Sequence, residues 1–169
     1  MYNFNTFDDF IRSTFLQTIG AGECWDYINL IWNHEGSRYW TYPPTDPSAT
    51  NHGVKWGVLN NDAKQANILD NIIFITSKQD LRKGDVVVTS GGEFGHAGFM
   101  QEDYTTDKAY NIYSQNYNNR RSVGLDTYRL DDFVGGFRYL PWVTPTPTER
   151  KKSRFKWVLY ARRFREGRR

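Results

Sequence analysis

Between Ile72 and Leu140 the chain carries six short runs rich in β-branched and aromatic residues: Ile72–Thr76, Asp85–Thr89, His96–Gln101, Ala109–Tyr113, Gly124–Arg129 and Gly135–Leu140. Turn residues separate them, and that count implies an antiparallel sheet. Ahead of the sheet the period changes. Phe7, Phe10, Ile11, Phe15 and Ile19 recur at helical spacing, with Thr6 placed to cap and Gly20-Ala21-Gly22 placed to stop the helix. Cys24 to Trp32 predicts a second helix, with Cys24, Tyr27, Ile28 and Ile31 on one face and Asp26, Asn29 and Asn33 pointing elsewhere. From Glu35 to Gly57 the chain reads as a long functional loop, and Asn60 to Leu69 as a short helix. The fold class is α+β, with N-terminal helices packed on a single antiparallel β-sheet.

At 169 residues the chain fits one domain of common size. Its charge is split. Residues 149–169 carry ten Lys or Arg against Glu149 and Glu166, a net of +8, which leaves residues 1–148 at −5. Pro141-Trp142-Val143-Thr144-Pro145-Thr146-Pro147-Thr148 lies between the two, and its alternating prolines favour an extended spacer. Residues 1–141 are therefore read as the domain, 142–149 as a Pro/Thr linker, and 150–169 as a basic tail or the start of a further module. Coulomb attraction could draw Arg150-Lys151-Lys152-Ser153-Arg154 to an anionic polymer or surface, but a solvated tail is the favoured reading. The longest apolar run is only a few residues, so no membrane-spanning helix is expected. The N-terminus, Met1-Tyr2-Asn3-Phe4-Asn5-Thr6-Phe7-Asp8-Asp9, lacks the basic and apolar segments of a secretory signal. A single cysteine excludes an internal disulfide, so the fold must hold by packing, and a free thiol fits synthesis in a reducing compartment.

That cysteine is also the main chemical signal. Cys24 stands where the glycine-bearing Gly22-Glu23 runs into the second helix, and the positive end of the helix dipole there is expected to lower its pKa. Gly95-His96-Ala97-Gly98 places a histidine at the head of a strand, and Ser114-Gln115-Asn116 offers polar groups to orient the ring. Alone, each has a bland reading, a buried small hydrophobe or a packed histidine. Together, cysteine, histidine and a polar third member make a cysteine-hydrolase constellation.

In order and spacing, Gly22-Glu23-Cys24-Trp25-Asp26, Leu81-Arg82-Lys83-Gly84-Asp85-Val86-Val87-Val88, Gly95-His96-Ala97-Gly98-Phe99-Met100, Ser114-Gln115-Asn116 and Gly136-Phe137-Arg138 resemble a CHAP domain, a cysteine, histidine-dependent amidohydrolase or peptidase of the phage-lysin type. The resemblance covers residues 5 to 141. It implies a papain-like fold and hydrolysis of an amide bond in bacterial peptidoglycan, as an N-acetylmuramoyl-L-alanine amidase or a stem or cross-bridge endopeptidase. Cys24 matches the nucleophile and His96 its base. Asn116, two residues past Ser114 on a strand and so on the same face, is expected to orient the imidazole. Ser114 stands where relatives often carry Glu, a departure that removes the carboxylate from that position. Asp26 is expected to brace the loop of the nucleophile, because i and i+2 on a helix do not share a face. The expected setting is the host cytoplasm before holin-mediated release, or the virion or tail, with peptidoglycan as partner beside other virion or tail proteins or a cell-wall-binding module.

No cofactor is implied. Phe15-Leu16-Gln17-Thr18-Ile19-Gly20-Ala21, where some relatives bind calcium, has no carboxylate, and His34, His52 and His96 lack metal-site spacing, so no metal is expected. Trp25, Trp40, Tyr42, Trp56 and Tyr117 are the candidates for holding substrate against an aromatic face. Two alternatives are a non-catalytic cell-wall-binding module of a virion protein and a different thiol hydrolase. Keeping both Cys24 and His96 argues against the first, and the sequence around Cys24 against the second. A nucleic-acid binder built on the basic tail ranks last, because residues 1–148 are acidic and recognition motifs are absent, and no membrane partner is expected.

Overall fold

Thr6 opens the first helix as its capping position demands. Its Oγ1 accepts the Asp9 N–H at 3.1 Å, and Asp8 and Asp9 put negative charge at the positive end of the dipole. In the computed structural model, which describes residues 1–35, 71–106 and 108–143, this helix is α1 (Phe7–Thr14). It ends five residues short of Ile19. Leu16 turns to φ 63°, its N–H donates to Val123 O at 3.0 Å, and Gln17 O accepts from Val123 N–H at 2.8 Å. Pairing with a distant segment thus wins over the helical period, leaving Phe15 exposed and burying Ile19 from a loop.

Helix α2 (Cys24–His34) runs two residues beyond Trp32. Cys24, Tyr27, Ile28 and Ile31 are buried, and so are Trp25, Asn29 and Trp32, so Asn29 is not on an outer face. The helix is enclosed on more than one side. Tyr27 stacks on Phe10 of α1 at 5.5 Å and meets Phe99 edge-on at 4.9 Å, while Trp32 meets Phe137 at 5.5 Å. No helix among the described residues is long and apolar enough to cross a membrane.

The six β-rich runs form one antiparallel sheet: β1 (Ile72–Ile75), β2 (Val86–Thr89), β3 (His96–Met100), β4 (Ala109–Ser114), β5 (Gly124–Arg129) and β6 (Phe133–Tyr139), in the order β1-β6-β2-β3-β4-β5. Alternation along β2 splits its valines between two cores. Val86 and Val88 join Ala97, Phe99, Phe137 and the two helices, while Val87 joins Ile75, Leu81, Met100, Tyr110 and Ile112 on the opposite face. The first core reaches past Pro141. Trp142 packs on Phe10 at 4.8 Å and Tyr139 at 5.0 Å, and its indole N–H donates to Phe4 O at 3.0 Å, so this residue of the Pro/Thr segment belongs to the packed domain. The loop after Glu35, the segment Asn60–Leu69 and the chain beyond Val143 lie outside the described residues.

Ahead of β2, Asp85 ties the sheet together. Its carboxylate takes Nε and Nη2 of Arg138 at 2.8 and 2.7 Å and the Arg82 N–H at 2.7 Å, and Arg138 also donates to Asp80 O. Burial pushes the Asp85 pKa up even against the pull of Arg138. Removing one partner from such a pair leaves a buried charge uncompensated. Arg138→Leu is expected to lower the unfolding free energy at pH 7 by about 3–5 kcal/mol. The deficit should shrink as acid protonates Asp85 in the variant. Urea titrations at pH 7 and pH 4 check this, and an equal deficit at both would rule out the ion pair as its source.

Candidate active site

Among the nine residues between α1 and the thiol, Ile19 and Glu23 are both held by one side chain. Gln115, wholly buried, accepts the Ile19 N–H at 2.8 Å on Oε1 and donates from Nε2 to Ile19 O at 2.9 Å and Glu23 O at 2.8 Å. Asp26, in the first turn of α2, turns back to accept the N–H groups of Ala21 and Glu23 at 2.9 and 3.1 Å. Gly20 stands at φ 57°, and a Cβ there would meet the Asp26 carboxyl carbon at 2.7 Å, so this turn admits only glycine. Cys24 follows as the first residue of the helix.

The thiol is 7% exposed. The backbone N–H groups of Ala97 and Trp25 reach it and favour the thiolate, yet burial outweighs them, and with the charges of Glu23 and Asp26 it drives the pKa up to about 11. The dipole at the helix start therefore does not produce a resting thiolate. Desolvation of the charged form is the larger effect.

Ala97, which touches the thiol, follows His96, the first residue of β3. Burial drives the imidazole down to about pKa 4, with Asp126 pulling it up and Arg120 pushing it down. His96 and Cys24 are thus both neutral at pH 7. Among the described residues Nε2 of His96 has no hydrogen-bond partner. The rings of Tyr117 and Tyr128 flank the imidazole at 5.5 and 5.7 Å and stack on each other at 5.5 Å. Together with Gly95, Asn116 and Asp132 they line a cleft of about 320 Å³ into which His96 opens.

Strand β4 ends at Ser114, so Ser114 and Asn116 do not share a strand face. Asn116 takes φ 63°, a left-handed conformation asparagine tolerates, and its Nδ2 donates to Glu23 Oε2 at 2.5 Å while its Oδ1 is buried without a partner among the described residues. Ser114 is wholly buried and donates its hydroxyl to Asp126 at 2.6 Å. Trp25 has no exposed surface and sits in the main core, so its ring offers no face to a ligand. Tyr117 lines the cleft, whereas Trp40, Tyr42, Trp56 and His52 lie outside the described residues. His34 stacks on Phe4 at 4.0 Å, at the far end of α2 from Cys24. Among the described residues no three His, Cys, Asp or Glu converge on a metal-sized site.

Sequence reasoning missed Glu23, Arg120, Asp126 and Tyr128, and gave Gln115 no separate role. Asp126 had a signal, since an acidic residue alternating inward on a strand needs a cation nearby, and Arg120 is six residues away. Gln115 had none, because its partners lie more than ninety residues back along the chain.

No family model matches the sequence, and no curated protein matches it. Solved structures do resemble the fold. A wild-type endolysin, LysIME-EF1, superposes with TM-score 0.52 at 16% identity over 83% of this chain and 65% of its own. Ly7917 superposes with TM-score 0.51 at 20% identity over 78% of this chain and 59% of its own. The chain thus spans less than two thirds of either protein, and what it shares with them is the α+β fold.

Proposed function

We propose that this chain is the hydrolase domain of a cysteine-dependent peptidoglycan amidase or endopeptidase of the CHAP type, working as an endolysin or a tail-associated lysin on the bacterial cell wall. The observation that carries the reading is the meeting of Cys24, at the start of α2, with Ala97, the residue beside His96, which itself opens into an aromatic-lined cleft. The likeness in fold to an endolysin supports it. As Cys24 Sγ attacks the scissile carbonyl, its proton passes to His96. The imidazolium then protonates the departing amine, leaving a thioester; water attacks that ester as His96 takes its proton, and the C–S bond breaks to release the acid while the proton returns to the Cys24 sulfur. Asp26 holds the turn behind the thiol, Asn116 braces that turn through the Glu23 side chain, and Tyr117, with Trp40, Tyr42 and Trp56, receives the substrate. One observation favours a second reading: a thiol as buried as Cys24 also suits a non-catalytic wall-binding module.

Clearing of Gram-positive wall suspensions separates the two. Wild type is expected to clear walls and release new amines, while Cys24→Ala and His96→Ala lose at least about 10²-fold in rate and still bind. Binding without clearing by all three proteins would leave the module reading standing.

The neutral pair makes its own prediction. Cys24 is the only thiol, so alkylation reports on it alone. Because its pKa is raised to about 11, the iodoacetamide rate should climb about tenfold per pH unit from pH 6 to 9. A rate constant flat across that range would mean a preformed thiolate–imidazolium pair. The same shifts fix the sign for stability. The depressed His96 pKa contributes a loss of stability as pH falls from 6.5 toward 4, and the raised Cys24 pKa a loss as pH climbs from 9 toward 11.

A further inference from the structure

The strands beside His96 carry a charged pair that the thiol chemistry has not used. Asp126, 7% exposed, sits within β5 opposite Ile112. Its Oδ1 accepts from Arg120 Nη1 at 2.7 Å, and its Oδ2 accepts from Arg120 Nη2 at 2.5 Å and from the Ser114 hydroxyl at 2.6 Å. Arg120 Nε is tied to Ser122 O at 3.1 Å. A Cβ on Gly124 would fall 2.4 Å from the guanidinium carbon, so the fork can lie over β5 only at a glycine. Taking the Asp126 charge out of water opposes folding, Arg120 stays partly exposed, and well-packed apolar residues would stabilise the strand as well. The pair therefore calls for a role beyond packing.

Strand alternation places that role. Ser114 pairs with Gly98 on one side and Gly124 on the other, so His96, Gly98, Ser114, Gly124 and Asp126 share one face of the sheet. Gly98 adds no side chain to that face: a Cβ there would come within 3.0 Å of the Ser114 Cβ. The field of the pair reaches the imidazole, Asp126 favouring its charged form and Arg120 opposing it. The other titratable groups near the ring are the phenols of Tyr117 and Tyr128 and, beside Ala97, the Cys24 thiol. Asp132 and Arg129 stand on the walls of the same cleft, and Arg129 is paired with Asp131.

On the thiol-hydrolase reading above, we propose that Asp126, held by Arg120 and Ser114, is the positioning carboxylate of this site, acting on His96 from the second strand over and stabilising the imidazolium formed when His96 takes the Cys24 proton. The serine at position 114 then does not leave the site without a carboxylate. It hydrogen-bonds the carboxylate that β5 supplies, and Arg120 sets how much of that charge His96 feels.

The test follows the His96 imidazole C–H resonances by NMR in the full chain carrying Cys24→Ala, with Asp126→Asn, Arg120→Gln and the double variant. Asp126→Asn should move the His96 titration down and Arg120→Gln up, each by about one pH unit, with the double variant returning near the parent. With Cys24 present, Asp126→Asn should lower kcat while KM stays within about twofold, and shift the acid limb of the kcat/KM profile in the sense of the titration. Arg120→Gln decides the matter even where Asp126→Asn fails to fold, because Arg120 is partly exposed and its loss moves the titration toward neutral pH. A His96 titration unmoved by Arg120→Gln, or moved the same way by both single variants, overturns the assignment. The titrations need no turnover, so failure of wild type to cleave walls would sink the hydrolase reading without obscuring this result.

Discussion

Everything at the site hangs on the amide of Gln115. Both its N–H donors and one acceptor lone pair are spent on backbone groups of Ile19 and Glu23, inside a domain where water cannot replace them. Losing the amide would strand the Ile19 N–H, at about 1–3 kcal/mol, and leave the Ile19 and Glu23 carbonyls only the N–H groups of Gly22 and Asp26. Its position matters as much as its strength. Ser114, Gln115 and Asn116 are consecutive and reach in three directions, to Asp126, to the 19–23 loop and to the side chain of Glu23. The left-handed turn at Asn116 makes this possible, since continued strand geometry would send alternate residues to opposite faces only. The residue before the thiol is thus held twice by the segment that follows β4, once through its carbonyl and once through its carboxylate.

The sheet explains why this clamp sits where it does. Strands β2 and β3 are covered on both faces, by the helices on one side and by Leu81, Tyr110 and Leu130 on the other, so side chains in mid-strand have no access to a ligand. In these two strands the position that is not fully buried is an end, His96. His96 begins β3, opposite Thr89 at the end of β2, and the cleft opens beside it. Trp142 closes the opposite arrangement, sealing Phe7, Phe10 and Phe99 against solvent.

What the sequence disclosed was whatever depends on local period. Six β-rich runs became six strands within a few residues, and Thr6 capped α1 because capping needs only its neighbours. The positions of Cys24 at a helix start and His96 at a strand start were legible for the same reason. Long-range pairing was not. Ile19 kept its helical spacing but was captured by Gln115, and Leu16 and Gln17 by Val123. Asn116 looked like a strand residue until its backbone turned left-handed. The thiol's ionisation was misjudged because dipole and burial act in opposite senses, and only the structure gives the burial.

That last point governs how the pair can work. With the thiol near pKa 11 and the imidazole near 4, forming a thiolate and an imidazolium costs on the order of 10 kcal/mol before their mutual attraction is counted. Turnover at common enzyme rates, about 1–10³ per second, leaves a barrier of roughly 13–17 kcal/mol for all steps together. A free ion pair would consume most of that before any bond to substrate formed. On the thiol-hydrolase reading, proton transfer therefore runs together with attack on the carbonyl, so that the new C–S bond offsets the charge separation. In such a site the decisive groups are those that meet the imidazolium as it appears. The Asn116 side chain is engaged with Glu23 and Asp132 stands on the cleft wall, while the carboxylate of Asp126, half-masked by Arg120, is the negative charge that shares a sheet face with His96 and favours its charged form.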